Sequence, residues 1–438
     1  MTSDTQQQAR YEDPEHRLNR LIALRRHLHT HPELSGEERK TARFVAYHLR
    51  RAGLQVEEGV GGTGVVGLLA GDHPGPTIAY RADMDALPIQ DTLGRPYAPL
   101  PLGVKHACGH DLHMAIALGI AEWLSETHDR LHGQVVFVFQ PAEESLDGAR
   151  AMLADGLLHQ YRPQAILALH AFPLQVGSIG VAMGHCLAGI EEFRVRFYAP
   201  AGDLKTIMRD AIAALEALST SVAPQTADEF QALIDDMVRK QEAGGDRGTD
   251  PTRATFLKCW PATPGADPPY DLLGLVSIAD FAIRPEVQQR IRETLDRVVA
   301  NHGASYDLMV TFSNPPLQNH PGLVKAIMPM VEGMLGPENV LRFRTPYPFA
   351  HEDLALYAAE VPTALIWLGT ANAEDNLSSI LHTPDYDVDE RALEIGARLV
   401  REIILRWLGE TPFPSLDPPT GTSPDDQLIS AGTEPPDC

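Results

Sequence analysis

Leu18, Leu21, Ile22 and Leu28 recur at helical spacing over residues 15 to 29, and Ala42, Val45, Ala46 and Leu49 repeat the stripe in the next segment. The chain therefore opens on two amphipathic helices. Short apolar runs follow at Gly64 to Ala70, Thr77 to Arg81, Gln134 to Gln140 and Gln164 to Leu169, with a helix expected from about Leu112 to Ser125 among them. Strands alternating with helices predict an α/β domain on a mainly parallel sheet.

From Glu191 the pattern changes. Phe193, Val195 and Phe197 alternate with charged residues, as on a sheet with one wet face. A helix near Leu204 to Leu218, a polar stretch from Lys240 to Thr252, a strand at Leu272 to Ile278, a helix near Pro285 to Asn301 and a strand at Tyr306 to Phe312 predict a small α+β layer of two strand–helix–strand units. After Pro315 the first pattern resumes, with helices near Gly322 to Leu335 and Glu352 to Glu360, a strand at Thr363 to Leu368 and a last helix near Asp389 to Leu408. The expected organisation is a first domain over 1–188 and 314–410, interrupted by an insertion at 189–313. Residues 411–438 are rich in Pro, Ser, Thr and Asp and are expected to be a disordered tail.

Charge and composition narrow the functional classes. The 438 residues carry 36 basic and 59 acidic side chains, a net charge of -23, and no Lys/Arg-rich run, so nucleic acid is not an expected partner. No run of 18 apolar residues occurs, and the first residues lack the apolar segment of a signal peptide, so neither a membrane nor export is expected. Cys108, Cys186, Cys259 and Cys438 show no paired spacing, which fits a reducing cytoplasm. Cys108 alone lies among histidines and an aspartate.

Several polar clusters directly follow apolar β runs, where open α/β sheets bind ligands. Asp83 and Asp85 follow PTIAYRA, Glu143 and Glu144 follow QVVFVFQPA, His170 closes AILALH, and HACGHD at 106–111 precedes a helix. Thiolate, imidazole and carboxylate form a donor set suited to zinc, manganese, cobalt or nickel rather than calcium or magnesium. The glycine between Cys108 and His110 allows a turn that brings both side chains to one side. Adjacent glutamates suit a division of labour in which one binds metal and the other moves a proton between water and a leaving nitrogen. Each feature has a plainer reading: a solvated Glu–Glu pair, a hydrogen-bonded strand-end His170, a helix start capped by Asp111. Their joint placement favours chemistry.

The chain resembles the aminoacylase, hippurate hydrolase and auxin-conjugate hydrolase branch of the dinuclear metallopeptidases. The likeness spans most of 15–190 and 315–408 and rests on LRRHLHTHPELSGEE (24–38), YRADMDALPIQD (80–91), HACGHDLH (106–113), FQPAEESLDGARAMLADGLL (139–158), LHAFPLQVGSIGV (169–181), HEDLALYAAEVPTALIWLG (351–369) and LHTPDYDVDERAL (381–393). It implies a metallopeptidase-like α/β catalytic domain with an inserted ferredoxin-like lid that also forms a homodimer. Carried over, it implies that Cys108, His110, Glu144, His170 and His382 bind two divalent metal ions, with Cys108 bridging. Glu143 would be the general base and acid in hydrolysis of an N-acyl amino acid or related small-molecule amide by a metal-activated water. Asp83, Asp85, His106, Asp111 and His113 would support the ligands.

The insertion departs from this pattern. Members similar to this chain carry a histidine in a glycine-rich turn after the lid's first strand, understood to stabilise an oxyanion in the partner subunit. Here FYAPAGDLKTIMRDAI (197–212) places Asp203 near that position. Loss of such a donor is worth about 10²–10³ in rate if nothing replaces it. The arginine usual for a substrate carboxylate is absent, and Arg284 lies a few residues later. His351 stands where a small residue is usual, either as a new polar group of the substrate pocket or as an ordinary capping or solvent-facing histidine. The alternatives are therefore the same metal site running another reaction, such as amide formation, or a metal-binding homologue with little turnover.

Overall fold

A computed structural model describes residues 13–199, 203–224, 226–239, 255–262, 271–343, 345–375, 377–409 and 413–419. The elements, in chain order, are α1 (Pro14–Thr30), α2 (Arg39–Arg51), β1 (Gln55–Val60), β2 (Gly64–Ala70), β3 (His73–Asp83), α3 (His110–Ser125), β4 (His132–Gln140), α4 (Gly148–Ala154), α5 (Leu157–Tyr161), β5 (Ala165–Gln175), β6 (Ile179–Ala182), β7 (Gly184–Leu187) and β8 (Gly189–Tyr198). They continue with α6 (Leu204–Glu216), α7 (Ala227–Arg239), β9 (Thr255–Pro261), β10 (Asp271–Ile278), α8 (Arg284–His302), β11 (Ser305–Asn314), β12 (Leu317–Asn319), α9 (Pro321–Leu335), β13 (Val340–Phe343), α10 (Leu354–Ala358), β14 (Thr363–Ala371) and α11 (Arg391–Trp407). The chain divides into a larger unit, Met1–Met183, Asn319–Arg342 and Leu356–Cys438, and a smaller one, Gly184–Gln318 and Phe343–Ala355.

The larger unit is built on an eight-stranded sheet of order β1-β2-β4-β3-β5-β14-β6-β13. Its four central strands, β4, β3, β5 and β14, are parallel, while β1, β2 and β6 join antiparallel. The run from β3 through α3 leads to β4 on one side, and the next crossover returns to β5 on the other. The chain thus switches direction at the carboxyl end of β3, the crevice where ligands bind in such sheets. Helix α1 starts at Asp13, which accepts from the Glu15 N–H at 3.1 Å, with Pro14 in its first turn. Helix α3 is buried from His110 through Ala121, so it reads as apolar all round rather than as a stripe. It packs against α1, α11 and the central strands.

The smaller unit is a β8-α6-α7-β9-β10-α8-β11 run on an antiparallel sheet of order β11-β8-β10-β9, a ferredoxin-like arrangement. Phe193, Val195 and Phe197 turn inward against Ile207, Met208, Leu215, Ile291 and Leu295. On the other face Arg196 pairs with Asp271 at 2.8 Å.

Several expectations need adjustment. Strand β1 carries no clean apolar run, β6, β7, β12, β13, α4 and α5 are too short to show a period, and α7 had a readable stripe of Phe230, Ile234 and Met237. Strand β9 had a readable alternation of Thr255, Leu257 and Cys259. The helix expected at Glu352 to Glu360 shrinks to α10. The apolar stripe of α6 is core of its own unit. The segment Phe343–Ala355 joins the smaller unit, because the Tyr347 N–H donates to Cys186 O at 2.9 Å and Tyr347 O accepts from Ala188 at 3.2 Å. The expected tail begins with order: Phe413 stacks on Trp407 with ring centroids 4.0 Å apart. Residues 420–438, with Cys438, and the polar stretch Lys240 to Thr252 lie outside the described residues. Cys108, Cys186 and Cys259 are free and buried, and no described helix is long and apolar enough to cross a membrane.

Candidate metal centre

Outside the ends of β3, β4 and β5, five potential ligands converge. Cys108 and His110 are set by Gly109, whose φ of +88° makes the turn that starts α3. A Cβ there would meet Ala171 Cβ and the Tyr386 hydroxyl at 2.7 Å, so both the dihedral and the space require glycine. Cys108 Sγ lies 3.5 Å from His170 Nε2 and 3.3 Å from His382 Nε2. His382 Nε2 is 3.4 Å from Glu144 Oε2, and Glu144 Oε1 is 3.8 Å from His110 Nε2. Glu143 Oε2 stands 3.7 Å from the same nitrogen. Cys108, His110 and Glu144 also offer donor atoms mutually close enough to hold one ion.

The orientation of each donor is fixed by its other atoms. His110 donates from Nδ1 to Asp85 O at 2.9 Å, and His170 donates from Nδ1 to Ala171 O at 2.7 Å. Both rings therefore present Nε2 to the cluster. Glu144 is held by its backbone N–H to Asp85 Oδ2 at 2.9 Å, and Asp85 is held in turn by Ser35 at 2.6 Å. His113, in contrast, is fully committed: Nδ1 donates to Asp83 at 2.6 Å and Nε2 accepts from the Ala171 N–H at 2.8 Å. It has no lone pair left for a metal, although it lies in the ring of groups around the cluster. The second oxygen of Asp83 accepts from Arg81 at 2.6 Å.

Electrostatics mark the cluster as short of positive charge. Burial would pull His110 down, yet Asp83, Asp85 and Glu144 raise it to about 10. Burial pushes the Cys108 thiol well up, and Glu144, Glu143 and Asp83 push it further. Burial also opposes ionisation of Asp83, but His110, His113 and Arg81 hold it well below the usual range. His170 is driven well down by burial and by His113, so it is the neutral imidazole a metal needs. Two buried atoms, His110 Nε2 and Glu144 Oε1, have no hydrogen-bond partner although they face each other. Cations bound at these donors would satisfy both and reverse the thiol's shift.

The remaining expected residues fall as follows. His106 is fully buried with both ring nitrogens unpartnered, and burial lowers it to about 4. Asp111 is not the helix cap; it sits in the first turn of α3 and binds Arg25 at 2.7 Å and His29 at 2.8 Å. His170 does not close its strand, which runs on to Gln175 by pairing with β14. Within the smaller unit Asp203 is an exposed N-cap, accepting from the Lys205 N–H at 3.0 Å and the Thr206 hydroxyl at 2.8 Å. Arg284 is paired with Glu191 at 2.5 Å, and Gln288 donates to the same carboxylate. His351 caps no helix and is half-buried: Ser277 Oγ lies 2.7 Å from its Nε2, and burial lowers it to about 4. Sequence reasoning missed Arg25 and Asp387, which lie behind the cluster. The signal for Arg25 was its position in the buried stripe of Leu21, Leu24 and Leu28.

A parallel α/β core gathers thiolate, imidazole and carboxylate donors at its switch point, a set suited to a divalent metal ion. The chain belongs to peptidase family M20/M25/M40, which it matches over residues 79–406, and is a hydrolase of that metallo-amidohydrolase and peptidase class. It is 31% identical over 398 residues to an N-acetyl-L-cysteine deacetylase of Bacillus subtilis, covering 89% of this chain and 88% of the relative. It is 28% identical over 397 residues to an IAA-amino acid hydrolase of Arabidopsis thaliana, covering 89% and 85%. Among solved structures it is similar to a dinuclear metal binding peptidase of the M20 family from Bacillus subtilis, with a TM-score of 0.71, 28% identity and coverage of 90% of this chain and 99% of the other.

Proposed function

We propose that the cluster holds two divalent cations and that the protein hydrolyses the amide bond of an N-acyl amino acid or a related small molecule. One observation carries the reading: His110 Nε2 and Glu144 Oε1 are buried, unpartnered and 3.8 Å apart beside the Cys108 thiol. Cys108, within 3.5 Å of His170 Nε2 and 3.3 Å of His382 Nε2, would be shared between the ions, with His110 and His170 holding one and Glu144 and His382 the other. The donor set favours zinc, manganese, cobalt or nickel. The ions, when bound, supply Lewis acidity to the carbonyl and lower the pKa of the attacking water. Glu143, 4% exposed, takes the proton from that water and returns it to the leaving nitrogen. Asp83, Asp85 and His113 hold the ligand rings and Glu144 in place through the bonds given above.

Relatives described as an N-acetyl-L-cysteine deacetylase and an IAA-amino acid hydrolase support an acylated amino acid as the substrate class. The test is metal content of wild-type and Cys108→Ala protein, with amine release from a panel of N-acyl amino acids. About two ions per chain, lost in the variant, together with turnover support the reading; a metal-free wild-type protein sinks it. A second reading, the same metal site running another reaction such as amide formation, is favoured by the occupation of Asp203 and Arg284 elsewhere. Two ions without amine release from any amide would select it. Homodimerisation through the smaller unit is supported by Met309 and Val310, exposed on the edge strand β11, and the solution mass from light scattering tests it.

A further inference from the structure

Three of the five donors, Cys108, Glu144 and His382, lie in turns, and His382 comes from the loop that follows β14. Its side chain is 52% exposed and its backbone sits at φ +60°, an unfavourable conformation for a residue with a Cβ. Beside local bonds from Ser379 Oγ to Thr370 O and Asp387 O, the loop is held by residues of the first quarter of the sequence. Its backbone is tied by the His382 N–H to Ala107 O at 2.8 Å, by Lys105 Nζ to Pro384 O at 2.8 Å and by the Thr92 N–H to Pro384 O at 3.1 Å. Its side-chain anchor is Asp387, which accepts from Arg25 Nη2 at 3.0 Å, from Tyr97 at 3.1 Å and from Arg95 at 3.1 Å.

Arg25 is 0% exposed, and its fork reaches two places at once. Nε donates to Asp111, the residue after His110, at 2.7 Å, while Nη2 donates to Asp387, five residues after His382. The fork's fixed, planar geometry makes the separation of the two carboxylates a fixed length in a way a lysine cannot reproduce. A buried guanidinium persists only when its carboxylate partners are in place, so breaking one arm destabilises the other.

We infer that Arg25 is a positioning residue that sets His382 against His110 through Asp387 and Asp111, and thereby governs the affinity of the metal site that contains His382. The inference rests on the dinuclear reading above. Removal of such an outer partner lowers metal affinity about 10–100-fold. The loss falls on one site only, because His110 and His170 are carried by α3 and β5 and keep their own bonds to Asp85 O and Ala171 O.

The experiment titrates metal-free wild-type, Arg25→Lys, Arg25→Gln, Asp387→Asn and His382→Ala proteins with zinc and with cobalt, reading affinities by calorimetry and stoichiometry by elemental analysis. Circular dichroism establishes that each variant is folded. Two ions in the wild type, with one weakened about 10–100-fold in Arg25→Gln and Asp387→Asn and the same one lost in His382→Ala, is the expected result. Arg25→Lys falls between the wild type and Arg25→Gln. If Arg25 variants fail to fold, Asp387→Asn, which removes only one charge from the loop, decides alone. Two ions at wild-type affinity in folded Asp387→Asn overturn the tether and leave the dinuclear reading intact, as does equal weakening of both ions. A wild-type chain that binds no ion overturns both.

Discussion

His110 Nε2 and Glu144 Oε1 face each other across 3.8 Å with neither making a hydrogen bond, although both are buried. An imidazole and a carboxylate at that separation would close on each other if pairing were their purpose. Their spacing instead leaves the lone pair of each free to bind a cation, and the anionic surplus around them favours positive charge there.

Uptake of that cation must displace protons. In the metal-free protein burial and the neighbouring carboxylates keep the Cys108 thiol protonated, and Asp83, Asp85 and Glu144 outweigh burial to hold His110 at about 10. Both groups must lose a proton to become ligands. Zinc binding at pH 7 is expected to release about two protons per chain, measured as the dependence of calorimetric enthalpy on buffer ionisation heat. No dependence on the buffer would remove both residues from the ligand set.

Glu143 is buried and adjacent to a ligand, but its oxygen is 3.7 Å from His110 Nε2 and its sequence neighbour already serves the cluster. Glu143→Gln keeps the shape and loses the proton acceptor. The expected result is a kcat lowered by about 10²–10⁴ with metal stoichiometry unchanged. A fall in metal content of the same proportion would make Glu143 a ligand rather than a base.

Gly109 is the hinge of the ligand turn. Gly109→Ala adds a Cβ at 2.7 Å from both Ala171 Cβ and the Tyr386 hydroxyl, in a backbone conformation at φ +88° that alanine resists. Displacing α3 and the 386 region together is expected to cost about 1–3 kcal/mol of stability and to lower metal content. Thermal melts with elemental analysis check it; a variant as stable and as metal-rich as the wild type would contradict the geometry.

Much of the centre was legible because open α/β sheets place ligand groups after apolar runs, as at Asp83, Glu144 and His170, and because Cys108 and His110 flank a glycine turn ahead of a helix. His382 was beyond such reasoning. It follows no periodic element, and its nearest partner, Cys108, is 274 residues away in the chain. Arg25 hid for the opposite reason: it occupies a regular position in a leucine stripe, where an amphipathic pattern assigns charge to the outside. Asp203 and Arg284 stand near the places where a histidine and an arginine are usual, and each has a local partner that composition does not reveal. In the fold, long buried strands and helices were readable, whereas β6 and β13 hold only four residues apiece.

Asp387 links stability to pH. Burial would raise its pKa, but Arg25, the Val388 N–H and His29 outweigh that and hold it below the ordinary carboxylate value. A depressed folded-state pKa gives stability that is present above the unfolded value, near 4, and is lost as pH falls through the folded value. Asp387→Asn is therefore expected to be about 3 kcal/mol less stable than wild type at pH 7, with the gap narrowing in acid. Denaturant midpoints at pH 7 and at pH 3 to 4 measure it, and a gap that widens in acid would reverse the sign.

Asp203 separates a helix cap from a catalytic substitute. Its carboxylate accepts from the Lys205 N–H and the Thr206 hydroxyl, its acidity is strengthened by those two bonds, and it is exposed. Asp203→Ala should lower the thermal midpoint modestly, as loss of an N-cap acceptor does. Asp203→Ser keeps an acceptor for the helix and removes the charge, so it should recover most of that loss. If the residue only caps, both variants keep their turnover and KM within about twofold of the wild type. A tenfold or larger drop in turnover in both, with stability restored in the serine variant, would instead give the carboxylate a part in the reaction, because the serine variant keeps the cap and lacks only the charge.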